Sequence, residues 1–110
     1  GALSDPDFVL RANQAESQPH PFDVCGEERI TLVLGWDDPS TPLRAHIRTP
    51  GGKPINERRV RPVRGRSWVF WRIPLPHEGE RDGTWQFTVE RVPTGRDSET
   101  RPVLRKRGRR

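Results

Sequence analysis

The sequence predicts an all-β chain folded as an antiparallel β-sandwich of about seven strands, immunoglobulin-like in architecture, with a jelly roll or small β-barrel as the alternative. Three observations carry this prediction. Apolar residues recur at period two in several segments. Clusters of Pro, Gly and short polar residues separate those segments at intervals of about 8–15 residues, and no long segment shows a helical period. With 110 residues the chain is one domain, which buries roughly two-thirds of its unfolded surface if compact throughout.

Each element follows in order. Phe8-Val9-Leu10 reads as a first edge strand, residues 13–21 as loop, and Phe22-Asp23-Val24 as the start of another strand. From Arg29 the alternation is strong: Ile30, Leu32, Leu34 and Trp36 share one face. Asp37 to Pro42 holds two prolines and four short polar residues and connects to a strand with Leu43, Ala45 and Ile47 inward and Arg44, His46 and Arg48 outward. Thr49-Pro50-Gly51-Gly52-Lys53-Pro54 is a turn leading to a short strand near Ile55. Residues 57–66 are basic and irregular, with Val60 and Val63 as anchors, and Pro62 bars a central ladder position, so an edge strand or long loop is expected.

Ser67 to Ile73 is apolar on both faces and ends at Pro74 and Pro76, as a central strand should. A polar loop runs from His77 to Asp82. Gly83-Thr84 then opens a strand with Trp85, Phe87 and Val89 on one face. Pro93 to Ser98 is a turn, and a last, weaker strand from Arg101 to Arg105 rests on Val103 and Leu104. The organisation expected is an N-terminal edge strand and loop over 1–21, the sandwich over 22–104 and a basic, disordered tail over 105–110. The expected core is Ile30, Leu32, Leu34, Trp36, Leu43, Ala45, Ile47, Phe70, Trp85, Phe87 and Val89.

The formal charge of +5 is concentrated at one end. Residues 101–110 hold six of the 20 basic residues and no acidic one, leaving 14 basic against 15 acidic residues in the remainder. Eighteen of the 20 are Arg, a bias that a GC-rich codon composition produces unaided. No apolar run reaches the roughly 18 residues of a membrane span. The chain opens on Gly1, as a trimmed N-terminus would, so the lack of a signal sequence says nothing of compartment.

The order Phe22-Asp23-Val24, Ile30 to Asp37 with its terminal Trp36-Asp37 pair, Leu43 to Ile47 followed by Thr49-Pro50-Gly51-Gly52, and Gly83-Thr84-Trp85 resembles a known module. It is similar to bacterial immunoglobulin-like β-sandwich accessory modules found beside von Willebrand factor A domains. More weakly, it resembles the P domain of subtilisin-like proprotein convertases, although no dense acidic cluster suited to calcium accompanies it. The resemblance spans roughly residues 22–92 and implies a non-catalytic domain whose partner is a neighbouring domain or another protein. The chain is expected to be a monomer.

Sites for chemistry are few. The single Cys25 excludes an internal disulfide and any zinc site of paired thiolates, and no base is placed beside it to activate the thiol. His20, His46 and His77 lack the spacing of metal ligands and read as surface residues. Asp37-Asp38 and Glu78, Glu80 and Asp82 lie on two loops that would have to meet to hold calcium, and they read as solvated turn residues. Gly51-Gly52-Lys53 lacks the rest of a phosphate loop. No catalytic residue, metal or cofactor is expected, and the chain is not read as an enzyme.

Two basic sets remain. Arg58, Arg59, Arg61, Arg64, Arg66 and Arg72 interleave with Trp71 in a candidate partner-binding face, which as a basic, aromatic groove would also hold single-stranded nucleic acid. Trp71 is further the aromatic that a carbohydrate-binding sandwich would expose. Arg105, Lys106, Arg107, Arg109 and Arg110 form a candidate polyanion-binding tail offering charge without readout, so its nucleic-acid binding would be non-specific.

Overall fold

Segments rich in β-branched and aromatic residues, broken by Pro and Gly, pair into eight antiparallel strands among the described residues of the computed structural model of the chain. It describes residues 2–4, 16–92 and 102–109, and of residues 2–4 the backbone alone. The strands are β1 (Ala2–Ser4), β2 (His20–Val24), β3 (Arg29–Gly35), β4 (Leu43–Arg48), β5 (Val63–Arg64), β6 (Trp68–Pro74), β7 (Gly83–Arg91) and β8 (Val103–Arg109). One sheet has the order β1-β8-β3-β6-β5 and the other β2-β7-β4. The expected two-sheet antiparallel sandwich is therefore present. Its central pairs are β3 with β6 and β4 with β7. Around them the chain pairs its first strand with its last, β1 with β8, and then β2 with β7, which is the nesting of the jelly roll named as the alternative.

Strict alternation decides which residues enter the core. Ile30, Leu32 and Leu34 of β3 join Leu43, Ala45 and Ile47 of β4 and Trp85, Phe87 and Val89 of β7 in one buried cluster. The Trp85 indole N–H donates to the Arg81 carbonyl at 2.8 Å, so its burial leaves no orphan donor. On β6 the inward residues are Val69, Trp71 and Ile73. Phe70, expected in the core, is half-buried on the opposite face. The register with β3 sets Trp71 beside Leu32 and Phe70 beside Val33. A strand apolar on both faces has no phase of its own, and the partner strand supplies it. Val60 is buried as expected, whereas Val63 is exposed at the β5 edge.

The largest correction concerns the C-terminus. The basic tail expected over 105–110 is, as far as Arg109, the body of β8, an inner strand lying between β1 and β3. Leu104 stands beside Leu34, Lys106 beside Leu32 and Gly108 beside Ile30. Lys106 points inward and is buried, with its Nζ donating to the Asp23 carbonyl at 2.6 Å and lying 5.9 Å from the centre of the Phe22 ring. Its aliphatic stem thus acts as a core side chain while the ammonium closes the sandwich against β2. Gly108 is required for a steric reason, because a Cβ there would lie 2.8 Å from Cγ of the buried Glu27. The expected strand at Phe8-Val9-Leu10, the turn at Pro93 to Ser98 and Arg110 lie outside the described residues. No helix among the described residues is long and apolar enough to cross a membrane.

Candidate functional site

With the inward phase of each strand known, the outer face of the five-stranded sheet follows by alternation. It carries Arg29, Thr31 and Val33 from β3, Trp68, Phe70, Arg72 and Pro74 from β6, and Val103, Arg105, Arg107 and Arg109 from β8. Cross-strand register arranges them in rows. Trp68 lies beside Gly35 and then Val103, Phe70 beside Val33 and Arg105, Arg72 beside Thr31 and Arg107, and Pro74 beside Arg29 and Arg109. One end of this face is aromatic and the other cationic.

Among the described residues, the strands of this face project five arginines and no carboxylate. No ion pair among the described residues includes any of the five. Arg29 and Arg109 stand directly opposite one another, an arrangement of like charges that weakens a sheet. Together with Arg72, Pro74 and Glu28 they line a depression of about 500 Å³. Within it the Arg29 Nε is buried and lacks a hydrogen-bond partner among the described residues. The Arg72 guanidinium lies 5.6 Å from the centre of the Phe70 ring, in cation–π range.

The two basic sets proposed from sequence are therefore partly one surface. Arg72 from the first and Arg105, Arg107 and Arg109 from the second share this face, bridged by β3. Trp71 and Lys106 leave it, since both point inward and are only 2% and 4% exposed. Trp68, 43% exposed, is the aromatic the face presents instead of Trp71. Arg58, Arg59 and Arg61 lie in the 56–62 loop, where Arg59 Nε is 3.7 Å from Glu78 Oε1 and Arg58 borders a depression of about 540 Å³ shared with Lys53, Glu78 and Glu80. Arg64 and Arg66 are exposed on β5 and in the β5–β6 turn. Arg29 was missed by sequence reasoning, although its position just before Ile30 places it outward. Trp68 was missed because β6 alone does not announce its phase.

The carboxylate loops do not meet. Asp37 and Asp38 follow the Gly35 end of β3, which lies beside Trp68, whereas Glu78, Glu80 and Asp82 follow the Pro74 end of β6. Their carboxylates staple turns. Asp38 accepts from the Ser40 N–H at 3.0 Å and the Thr41 hydroxyl at 2.8 Å. The Asn56 amide, 2.7 Å from Glu78 Oε1, holds that carboxyl below the usual carboxylate range, and the charge of Arg59 adds to the effect. The Thr49 hydroxyl and the Gly51 N–H do the same for Glu80, and the Gly26 N–H and Arg81 for Asp82.

The histidines are dispersed. His77 is buried, not on the surface as expected, and accepts from the Asn56 N–H at 3.2 Å. His20 stacks on Phe87 with centroids 5.0 Å apart, and His46 sits 2.5 Å from Glu90 on the three-stranded sheet. Cys25 is exposed. No group of three or more His, Cys, Asp or Glu side chains suited to a metal ion occurs among the described residues. Compared with known proteins, the sequence matches no family model and no curated protein.

Proposed function

We propose that this sandwich is a non-catalytic interaction domain whose working surface is the outer face of the five-stranded sheet, and that this surface docks a polyanionic partner. The observation that carries the reading is the convergence of five arginines, with Glu28 the one carboxylate lining their depression among the described residues, on a face that also exposes Trp68. Solubility alone is served by mixed charges, while a single-sign field over one face attracts and orients an oppositely charged partner. The resemblance to accessory modules supports the same class of function, with the partner held in trans or on a neighbouring domain. The titratable side chains outside the face support a non-catalytic reading, since Glu78, Glu80 and Asp82 are engaged in stapling turns.

The test is an amide-resolved NMR titration with inorganic polyphosphate at about 150 mM salt, where surface attraction beyond about 8 Å is screened. Shifts should cluster on Arg29, Arg72 and Arg105 to Arg109. Shifts centred on Arg44 and Arg48, or spread evenly over both sheets, would remove the basis for this assignment.

A further inference from the structure

Resting on the reading of this face as an anionic docking surface, we infer that its occupant is a single-stranded nucleic acid. Its bases stack on Trp68 and Phe70, and its phosphates are tracked by Arg72, Arg105 and Arg107. Charge alone accepts any polyanion, so the argument turns on the aromatic end. Trp68 and Phe70 are two residues apart on one strand and project to the same side, about 7 Å from one another.

The Trp68 ring is seated against the backbone. A Cβ built on Gly65 would lie 2.1 Å from the indole Nε1, so only glycine lets the ring rest there. The Gly65 N–H donates to the Trp68 carbonyl at 2.9 Å and closes the turn beneath it. On the other side of β6, the register partner of Trp68 is Gly35, which carries no side chain. An aromatic plane already immobilised on one side loses little freedom when a base stacks on the other.

Cations continue from this platform. Arg72 and Arg107 flank Thr31 at about two strand spacings, roughly 10 Å, and Arg105 and Arg107 repeat every second residue of β8. A sheet face that stacks bases on exposed aromatics while arginines follow the backbone is a general solution for single strands. An acidic protein segment would use the arginines and leave Trp68 without a role.

The full chain is titrated with oligothymidine of about 12 nucleotides, an abasic strand of equal length, heparin and poly-glutamate at about 150 mM salt. Binding is followed by anisotropy and by tryptophan fluorescence. Because Trp36, Trp71 and Trp85 are buried, quenching reports on Trp68. The oligonucleotide should bind about tenfold or more tighter than the abasic strand and quench the emission. Trp68→Ala should weaken binding of the oligonucleotide roughly five- to hundredfold and leave that of the abasic strand as it was, with an unchanged melt.

Equal affinity for the two strands, weakened equally by Arg105→Glu with Arg107→Glu, would overturn the nucleic-acid assignment and leave the anionic docking face standing. Tighter, Trp68-dependent binding of heparin would replace it with an anionic polysaccharide. Poly-glutamate binding as tightly as the oligonucleotide would replace it with an acidic protein segment. No affinity for any of the four, even at about 50 mM salt, would overturn both readings.

Discussion

On the outer face of the three-stranded sheet both signs of charge occur, whereas the charged residues described on the strands of the five-stranded sheet's outer face are all arginines. Arg44 stands opposite Glu90, His46 bonds to the same Glu90, and Asp23 accepts from the Thr84 hydroxyl at 2.9 Å. Glu90 and Asp23 thus supply negative charge on the same face as Arg44, His46 and Arg48, and Glu90 is bonded to His46. Arg29, Arg72, Arg105, Arg107 and Arg109 form no ion pair among the described residues, and two of them oppose each other directly. Both faces arise from the same alternation of inward and outward residues along the strands, and that alternation does not dictate the charge of the outward ones. A face neutralised from within makes no electrostatic demand on its surroundings, while an uncompensated one is relieved by an external anion.

The comparison can be broken most severely at β8. Removing residues 103–110 takes out an inner strand, two core residues and three arginines of the basic face together, and cooperative unfolding should be lost in a thermal melt. A truncated chain melting like the intact one would mean that the basic face is not assembled on the sheet at all. Next in size is the contrast between the two tryptophans of β6. Trp71→Ala should cost about 3–5 kcal/mol in denaturant unfolding, and Trp68→Ala about 0.5 kcal/mol or less, as for a surface substitution. A reversed order would exchange the inner and outer faces of β6 and take the aromatic platform with it.

A smaller effect sharpens the contrast directly. Arg105→Glu with Arg107→Glu should lower affinity for a single-stranded polyanion by about tenfold or more and reduce the slope of log affinity against log salt by about 0.7 for each phosphate that is no longer neutralised. The charge-matched pair Arg44→Glu with Arg48→Glu on the other sheet should leave both quantities nearly unchanged. Equal losses would make net charge, and not the face, responsible for binding.

The smallest effect is acid sensitivity. The carboxyls of Glu78, Glu80 and Asp82 titrate lower in the folded chain than their ordinary values of 4.5 and 3.8. A depressed folded value means that the stabilisation is complete above the ordinary value and fades as pH falls through the folded one. The melting temperature should therefore drop below about pH 4.5, and Glu80→Gln should flatten part of that dependence, while the arginine face stays fully charged. A melt insensitive to pH over that range would remove the stapling role of these turns.

Much of this was legible in the residues and some was not, for identifiable reasons. The strands β3, β4 and β7 carry apolar groups on one face only, so their inward sides are readable directly. β6 carries Trp68 and Phe70 on one side and Val69, Trp71 and Ile73 on the other, and local pattern cannot rank them. β8 past Leu104 has no apolar residue at all, so its alternation is invisible until Lys106 is seen to bury its stem and Gly108 to admit Glu27. The candidate arginines of the 57–66 segment drew attention by density, yet Arg59 is drawn toward Glu78 and the working set is drawn from three strands distant in sequence.

By itself, the sequence determined an all-β sandwich, the places where the chain turns and the inward residues of strands with one apolar face. Those features are local, since period two and turn chemistry act over a few residues. Only the tertiary structure decided the phase of β6, the insertion of β8 between β1 and β3, and with them the single face that joins Trp68 and Arg72 to Arg105 and Arg107. Pairing between strands far apart in the chain depends on which edges remain open and which registers bury Leu104 and the Lys106 stem, and no local pattern carries that information.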